Sequence, residues 1–373
     1  MKDGNARQLL AEVMRWQELD ITDSDINTSV FNLQLLADFK YDHYQRFEPG
    51  RRFVESLALW LRQFEPNDRV TALQFVMRNL VYFSDKELSH LVGTAYPDWI
   101  LQERMRLVAD EQNIPRHRVE EIVRDPRFKE LGLKSLYLGL SDGARTNELR
   151  RSSNGGISNE QIWQAYELGQ EKASDMGSEL GRSLKESGFP HETPRFTLIW
   201  LLDDFSGSGN TYIRYDGASK KFKGKIKKIY DQLEAGTLVD KTHHEIILLL
   251  YVATRQAIDH IEYWSERFTS EKGYKPLEVR VLCPIEPNKV VLETEFPDFG
   301  RILDNPAYCD NSVVDKHFMV GGKLTAERGF AGCALPVVLS HNTPNNSYYI
   351  LWGPESSKRF FGLFPRVSRH REF

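Results

Sequence analysis

The residues best suited to chemistry lie in one stretch, Asp203-Asp204-Phe205-Ser206-Gly207-Ser208-Gly209-Asn210-Thr211. Two adjacent carboxylates can accept hydrogen bonds from neighbouring hydroxyl groups and can help to hold a divalent cation. The small residues that follow let main-chain N–H groups approach a phosphate closely, and the Ser208 and Thr211 hydroxyls add donors. Acceptors for a diol followed by a phosphate loop describe a site for ribose 5-phosphate.

An apolar run over residues 197–202 comes directly before the two aspartates and predicts a buried strand. Ligands of open α/β sheets bind beyond the carboxyl ends of the strands, so this strand places both carboxylates at the ligand edge. A helix predicted to begin near residues 209–211 would direct its positive end at the phosphate. An N-cap pair and a surface turn are the simpler alternative. The compound pattern, however, should arise by chance in on the order of one chain in a thousand.

A second candidate loop follows the apolar run 135–140 and consists of Ser141, Asp142, Gly143, Ala144 and Arg145. Its small residues allow exposed N–H groups, and the Arg145 guanidinium can bind two phosphate oxygens as a fork. The alternative is a plain strand-to-helix turn in which Asp142 caps the helix.

A third candidate segment lies near the C-terminus and offers many hydrogen-bonding groups after the apolar run 335–339. This segment predicts a surface that forms hydrogen bonds with the edge of a nucleobase, while His341 or Trp352 stacks on the nucleobase ring. A polar turn that uses Asn and Pro for backbone geometry is the alternative. The residues assigned to this base side are His341, Asn342, Asn345, Asn346 and Trp352.

A lysine-rich run follows the first loop and comprises Lys220, Lys221, Lys223, Lys225, Lys227 and Lys228. It can contact nucleic acid or a polyphosphate, but a solvated face on an inserted segment is the favoured interpretation.

Residues 1–130 are predicted to form a helical N-terminal region, with a capping box at Ser84-Asp85-Lys86-Glu87. Short helices of this kind suit either a plain helical cap or a winged-helix-like DNA reader, although no segment shows a basic recognition face. Residues 131–373 are predicted to form an α/β domain with a mainly parallel twisted sheet and flanking helices, because apolar runs alternate with helical segments. A second capping box, Ser158-Asn159-Glu160-Gln161, predicts a long helix reaching Leu184.

The first loop resembles the signature of type I phosphoribosyltransferases from Asp203 to Thr211. The resemblance implies that Asp203 and Asp204 are the catalytic ribose-hydroxyl pair and that Mg²⁺ is held by them, through water. It also implies that 5-phosphoribosyl 1-pyrophosphate (PRPP) is the substrate or ligand and that residues 141–145 bind its pyrophosphate. The 5-phosphate would be held by Ser206, Gly207, Ser208, Gly209, Asn210 and Thr211.

A wider resemblance covers residues 133–352 and rests on the blocks 138–145, 203–211 and 341–347 together with Trp352. These blocks are similar to divergent phosphoribosyltransferase-like proteins of bacterial anti-phage conflict systems, some of them associated with retrons. This resemblance implies a role in defence, with a partner protein or nucleic acid of the same module.

Two features depart from the resembled pattern. Position 207 is glycine, where purine-salvage members often have an acidic residue that activates the acceptor. The usual mobile catalytic loop is also not recognisable after Gly155. Two hypotheses therefore stay open: an enzyme that transfers or cleaves a (phospho)ribosyl group, which is favoured, and a non-catalytic nucleotide or PRPP sensor. A DNA-binding regulator built on the N-terminal helices is a third and less favoured hypothesis.

The charge, the apolar runs and the cysteines of the sequence disfavour several classes of protein. The net charge of −4 argues against a chain-wide polyanion binder. The longest apolar run, residues 246–253, is too short for a bilayer span, which needs about 20 residues. Three widely spaced cysteines without metal-site spacing are typical of a cytoplasmic protein.

Overall fold

The computed structural model describes residues 3–14, 23–45, 47, 52–165, 169–286, 292–357 and 359–366. Contacts divide the chain into two compact units. The first combines Met1–Glu87 with Glu286–Phe373, and the second comprises Leu88–Ile285. These units differ from the predicted domains, whose boundary lies at residue 130, because the C-terminal segment folds with the N-terminal helices.

The α-helices in chain order are α1 (Asp3–Met14), α2 (Asp23–Phe39), α3 (Phe53–Leu61), α4 (Pro66–Arg78), α5 (Asp85–Ala95), α6 (Leu101–Gln112), α7 (Val119–Arg124), α8 (Pro126–Leu133), α9 (Thr146–Ser152), α10 (Gln170–Glu186), α11 (Lys225–Ala235), α12 (Arg255–Lys272), α13 (Leu292–Glu295), α14 (Pro297–Asp304), α15 (Lys316–Met319) and α16 (Tyr349–Trp352). None of the helices among the described residues has the length and apolar character that a bilayer span requires.

The strands in chain order are β1 (Val81–Phe83), β2 (Ser135–Gly139), β3 (Ile162–Gln164), β4 (Leu198–Ser206), β5 (Arg214–Asp216), β6 (Lys221–Lys223), β7 (Glu245–Thr254), β8 (Leu277–Ile285) and β9 (Val337–Leu339).

The second unit is built on a five-stranded sheet of order β3-β2-β4-β7-β8, in which all neighbours are parallel. Apolar side chains of the central strands are buried on both faces. On β4, Ile199 and Leu201 pack in the cluster that includes α10, α11 and α12, whereas Trp200 and Leu202 pack with α5 to α9. The predicted α/β architecture is present, and the sheet is covered on both sides as parallel sheets require.

The first unit has an aromatic core and a two-stranded parallel sheet formed by β1 and β9. The Trp60 indole donates to the Ile350 carbonyl at 2.8 Å, and the Phe75 and Phe299 rings stack with centroids 4.2 Å apart. Two predictions differ from the structure here. The 335–339 run lies in the predicted α/β domain and contributes β9, but β9 pairs with β1 and does not join the central sheet. Strand β1 also lies within the N-terminal region that is predicted to be helical.

The two capping boxes have different outcomes. At the first, the main-chain N–H and the hydroxyl of Ser84 both donate to the Glu87 carboxylate, at 2.8 and 2.7 Å, and α5 follows as predicted. The second box is also formed, but it opens only the single turn Asn159–Gln161. Ile162 is extended and enters β3, so the predicted continuous helix from this box is wrong. Tyr166, which was assigned to that helix, lies outside the described residues.

Candidate active site

The acid pair lies on β4 itself. The strand continues past the predicted end at residue 202, because β7 pairs with it as far as Ser206. Asp203 is 2% exposed and Asp204 is 9% exposed. Successive side chains of a strand point to opposite faces, so the two adjacent carboxyl groups have different neighbours.

Four donors of the protein surround the Asp203 carboxylate. Its Oδ1 accepts from the Ser141 hydroxyl and from the main-chain N–H of Asp204, the latter at 3.2 Å. Its Oδ2 accepts from the Tyr212 hydroxyl at 2.7 Å and from the Lys225 ammonium at 2.8 Å. A carboxylate has about four lone-pair positions, so these donors engage all of them.

Burial controls the electrostatics of this cluster. It raises the pKa of Asp203 above its ordinary value; the Lys225 ammonium opposes the rise, and the Asp204 charge adds to it. Burial, together with the Asp203 charge, also raises the pKa of Tyr212 well above its ordinary value. The Tyr212 hydroxyl therefore keeps its proton and acts as a donor.

The second loop, residues 141–145, packs against the acid pair. A Cβ atom at Gly143 would lie 2.2 Å from Oδ2 of Asp204, so the close approach of this carboxylate requires glycine. The Tyr251 hydroxyl donates to the Ala144 carbonyl at 2.9 Å and holds the loop to β7. Within this loop Arg145 donates to the Glu148 carboxylate at 3.1 Å. The structure thus brings together the two loops that the sequence singled out.

The small-residue loop after the acid pair rests on the beginning of α12. The Thr254 hydroxyl, which caps α12, donates to the Gly207 carbonyl at 2.6 Å. Gly209 has a φ of 76°, and a Cβ atom there would lie 2.9 Å from the Ala257 carbonyl oxygen. The helix predicted near residues 209–211 is absent, because the chain turns into the hairpin β5–β6 before α11 begins. The positive helix end beside the loop belongs to α12.

Several main-chain donors of this loop have no acceptor among the described residues. They are the N–H groups of Ser208, Gly209 and Thr211. The Asn210 N–H donates to the Ser208 hydroxyl at 3.4 Å. The side chains of Ser206 and Ser208 are buried, whereas Thr211 is exposed. Main-chain donors grouped beside a helix N-terminus form an environment that binds anions.

Sequence reasoning missed Tyr212 and Lys225. Lys225 was counted only as one member of the lysine-rich run, whose Lys223 and Lys227 form ion pairs with local aspartates. The sequence feature that could have indicated Lys225 is Gly224, where the chain returns to the loop that follows the acid pair. It has a φ of 126°, and a Cβ atom there would lie 2.3 Å from the Tyr212 carbonyl oxygen. The Lys225 N–H then donates to the Thr211 carbonyl at 3.1 Å.

The predicted base-side residues belong to the first unit. Trp352 is 5% exposed, and its indole donates to the Ser347 carbonyl at 2.9 Å. The Asn346 side chain donates to the Phe330 carbonyl at 3.3 Å. His341, Asn342 and Asn345 are half-buried, and the Asn342 side-chain oxygen has no partner among the described residues. Their assignment to a base stays a prediction.

The donor set does not favour direct coordination of Mg²⁺ by Asp203, because its oxygens are engaged by protein donors. Across the described residues, no group of three or more His, Cys, Asp or Glu side chains is arranged to hold a metal ion. Binding of Mg²⁺ by the pair stays a prediction.

A cavity of about 310 Å³ elsewhere in the second unit contains none of the predicted site residues. Trp99, Met105 and Trp200 contribute to its wall, and its Arg106 is ion-paired to Glu103. The acid pair is the stronger candidate site, because two adjacent carboxylates are buried there and burial raises the pKa of Asp203, a combination that is typical of functional centres.

Comparison with known proteins places the chain in a family. The model of the PRTase-CE family matches residues 57–366, a stretch that contains both loops of the candidate site. Neither the curated proteins nor the solved structures gave a match. Since the matched region is well over half of the sequence, the chain belongs to the PRTase-CE family, a phosphoribosyltransferase-like family.

Proposed function

We propose that the protein binds the ribose 5-phosphate part of PRPP or of a nucleotide and transfers or cleaves the (phospho)ribosyl group. The main supporting observation is the loop that follows the buried acid pair. In the part of the chain that the structure describes, the N–H groups of Ser208, Gly209 and Thr211 have no acceptor. Membership in a phosphoribosyltransferase-like family supports the same proposal.

Each part of the site has a role in this proposal. The N–H groups of Ser208, Gly209 and Thr211 bind the 5-phosphate, with the positive end of α12 beside them. Asp204 accepts a hydrogen bond from a ribose hydroxyl. The loop at residues 141–145 lies against Asp204 and binds the leaving pyrophosphate. Breaking the anomeric C–O bond mainly requires that both ends are held and that the developing charge is stabilised.

A second candidate function is a nucleotide or PRPP sensor that regulates a partner protein or nucleic-acid complex. The observation that favours it is the lack of an acceptor-activating base at position 207, which is glycine. The same pocket would then bind its ligand without turnover. The anti-phage setting implied by the wider resemblance is a separate prediction.

Incubation with Mg²⁺, PRPP and a panel of bases, nucleotides and NAD, followed by mass spectrometry, distinguishes the two functions. Release of pyrophosphate or of ribosyl products by the wild type, but not by Asp203→Asn/Asp204→Asn, is the result expected for the enzyme. A ligand-induced rise in melting temperature without any product selects the sensor. Turnover that persists unchanged in the double variant contradicts the assignment of the site.

A further inference from the structure

The four donors on Asp203 differ in their freedom to move. The Asp204 N–H belongs to the main chain of β4, and Tyr212 is buried at 3% exposure. Ser141 belongs to the loop that Tyr251 holds to β7 through Ala144. The Lys225 side chain, by contrast, is 30% exposed and has a long flexible stem. Lys225 is therefore the donor best able to meet a ligand while it remains beside the acid pair.

The main chain fixes Lys225 at this position. Its N–H donates to the Thr211 carbonyl, the last residue of the phosphate loop, at 3.1 Å. Its ammonium lies 5.2 Å from the centre of the Tyr212 ring, and the Tyr212 hydroxyl binds the same Asp203 oxygen. The main chain of Lys225 is thus anchored to the phosphate loop, and its ammonium is held at the acid pair.

This ammonium occupies the place where a cation bound to Asp203 would lie. The ammonium already lies 2.8 Å from Oδ2 of Asp203. A Mg²⁺ ion bound to this oxygen would be within a few ångströms of a like charge, which Coulomb repulsion disfavours. Among the described residues, the acid pair does not belong to any group of three or more His, Cys, Asp or Glu side chains that could hold a metal ion.

We propose that Lys225, positioned by Asp203, replaces the divalent cation at this site, so that phosphorylated ribose ligands bind without Mg²⁺. The inference rests on the proposed function, because it takes PRPP or ribose 5-phosphate as the ligand. The ammonium pairs with anionic oxygens of the ligand, and Asp204 contacts the ribose. Asp203 is then a positioning residue that acts through Lys225.

Calorimetric titration of PRPP and of ribose 5-phosphate, in EDTA and in Mg²⁺, tests this. Wild-type affinity for both ligands is expected to change by less than about threefold between the two conditions. Lys225→Met should weaken binding in EDTA by about 10- to 100-fold, the equivalent of one charged hydrogen bond. Mg²⁺ should restore part of this loss, because the substitution leaves an Asp203 oxygen open to the ion.

Lys228→Met is the matched control, since it removes the same charge from an exposed position on the same helix. It should bind as the wild type does in both conditions. Wild-type binding that requires Mg²⁺ overturns the inference and leaves the proposed function intact. No binding of either ligand in either condition contradicts the proposed function itself. If Lys225→Met does not fold, the wild-type comparison between EDTA and Mg²⁺ still decides the question.

Discussion

The acid-pair region, residues 203–211, begins on the last part of the buried strand β4, and the asparagine-rich segment, residues 341–352, follows the buried strand β9; both are rich in polar groups. In the first region, two adjacent carboxylates are buried, and several main-chain donors have no acceptor within the described ranges. In the second, Trp352 and Asn346 donate to carbonyl groups of their own unit. The acid-pair region thus contains buried charges, which are unfavourable for stability, and main-chain donors that can bind a ligand. Much of the asparagine-rich segment instead packs in the core of its own unit.

Polar residues that follow a strand therefore do not by themselves indicate a ligand-binding site. Neutral amides and indoles are readily satisfied by nearby carbonyls and then stabilise the fold. Adjacent buried carboxylates gain nothing for stability unless counter-charges are supplied, and such pairs are typical of functional centres. Lys225 and Tyr212 supply the counter-charge and a hydrogen bond at Asp203.

The largest expected effect separates the two regions through stability. Trp352→Ala should lower the free energy of unfolding by about 3–5 kcal/mol, because it truncates a buried aromatic side chain. Urea unfolding measures the effect. Phe39→Ala, at a side chain that is 69% exposed, is the control and should change stability by no more than about 0.5 kcal/mol. A Trp352→Ala protein with unchanged stability and weakened nucleotide binding would instead support the predicted contact of this segment with a nucleobase.

A smaller effect concerns the contact between the second loop and the acid pair. Gly143→Ala should weaken PRPP binding by about 10- to 100-fold, since overpacking of about 1–3 kcal/mol would displace Asp204. Calorimetric titration checks this. Gly177→Ala is the control, because its added methyl group would meet no atom closer than 3.9 Å. Equal affinities of the two variants would show that Asp204 does not contact the ligand.

The hydrogen bond from Tyr212 should have a more modest effect. Tyr212→Phe should lower the free energy of unfolding by about 1–2 kcal/mol, because Asp203 loses one buried donor and keeps three. Urea unfolding again provides the measurement. Tyr215→Phe, at a partly exposed ring on the neighbouring hairpin, should be neutral. A stable Tyr212→Phe variant would mean that Asp203 does not depend on this donor.

The smallest effect is a pH dependence that originates beneath the phosphate loop. Burial lowers the pKa of His260 below its ordinary value of 6.5, and its Nε2 lies 2.9 Å from the Ile213 carbonyl oxygen. A lowered pKa in the folded state means that the unfolded chain binds the proton more tightly. The His260 contribution to stability is therefore present above pH 6.5 and lost as pH falls through the lower folded value.

Urea unfolding of the wild type and of His260→Gln, at about pH 7.5 and about pH 5.5, isolates this contribution. The wild type should lose more stability on acidification than the variant does. His243→Gln, at an exposed histidine, should behave like the wild type. Identical losses in the wild type and in His260→Gln would show that His260 does not titrate in this range.

Sequence reasoning found the central strands and both loops of the site because these features are local. Continuous apolar runs can be buried only when both faces of a sheet are covered, and this is seen at β2, β4 and β7. The small residues and the adjacent aspartates are likewise visible without tertiary information. Their proximity followed from β2 and β4 being neighbours in the sheet.

The failures arose where distant contacts decide the structure. The Ser158 capping box is formed, yet Ile162 leaves the helical conformation because β2 pairs with β3. Strand β9 pairs with β1, more than 250 residues earlier in the sequence, and no local pattern encodes that partner. Lys225 reaches Asp203 only because a hairpin of intervening residues returns the chain at Gly224.

Matched double substitutions in the two regions test most directly whether the acid pair, and not the asparagine-rich segment, binds the ligand. The rise in melting temperature caused by PRPP is measured for the wild type, Asp203→Asn/Asp204→Asn and Asn342→Ala/Asn345→Ala. We expect the acid-pair variant to fold and to lose the PRPP-induced rise, and the asparagine variant to retain it. A rise that persists in the acid-pair variant and disappears in the asparagine variant would show that the ligand site lies in the asparagine-rich segment.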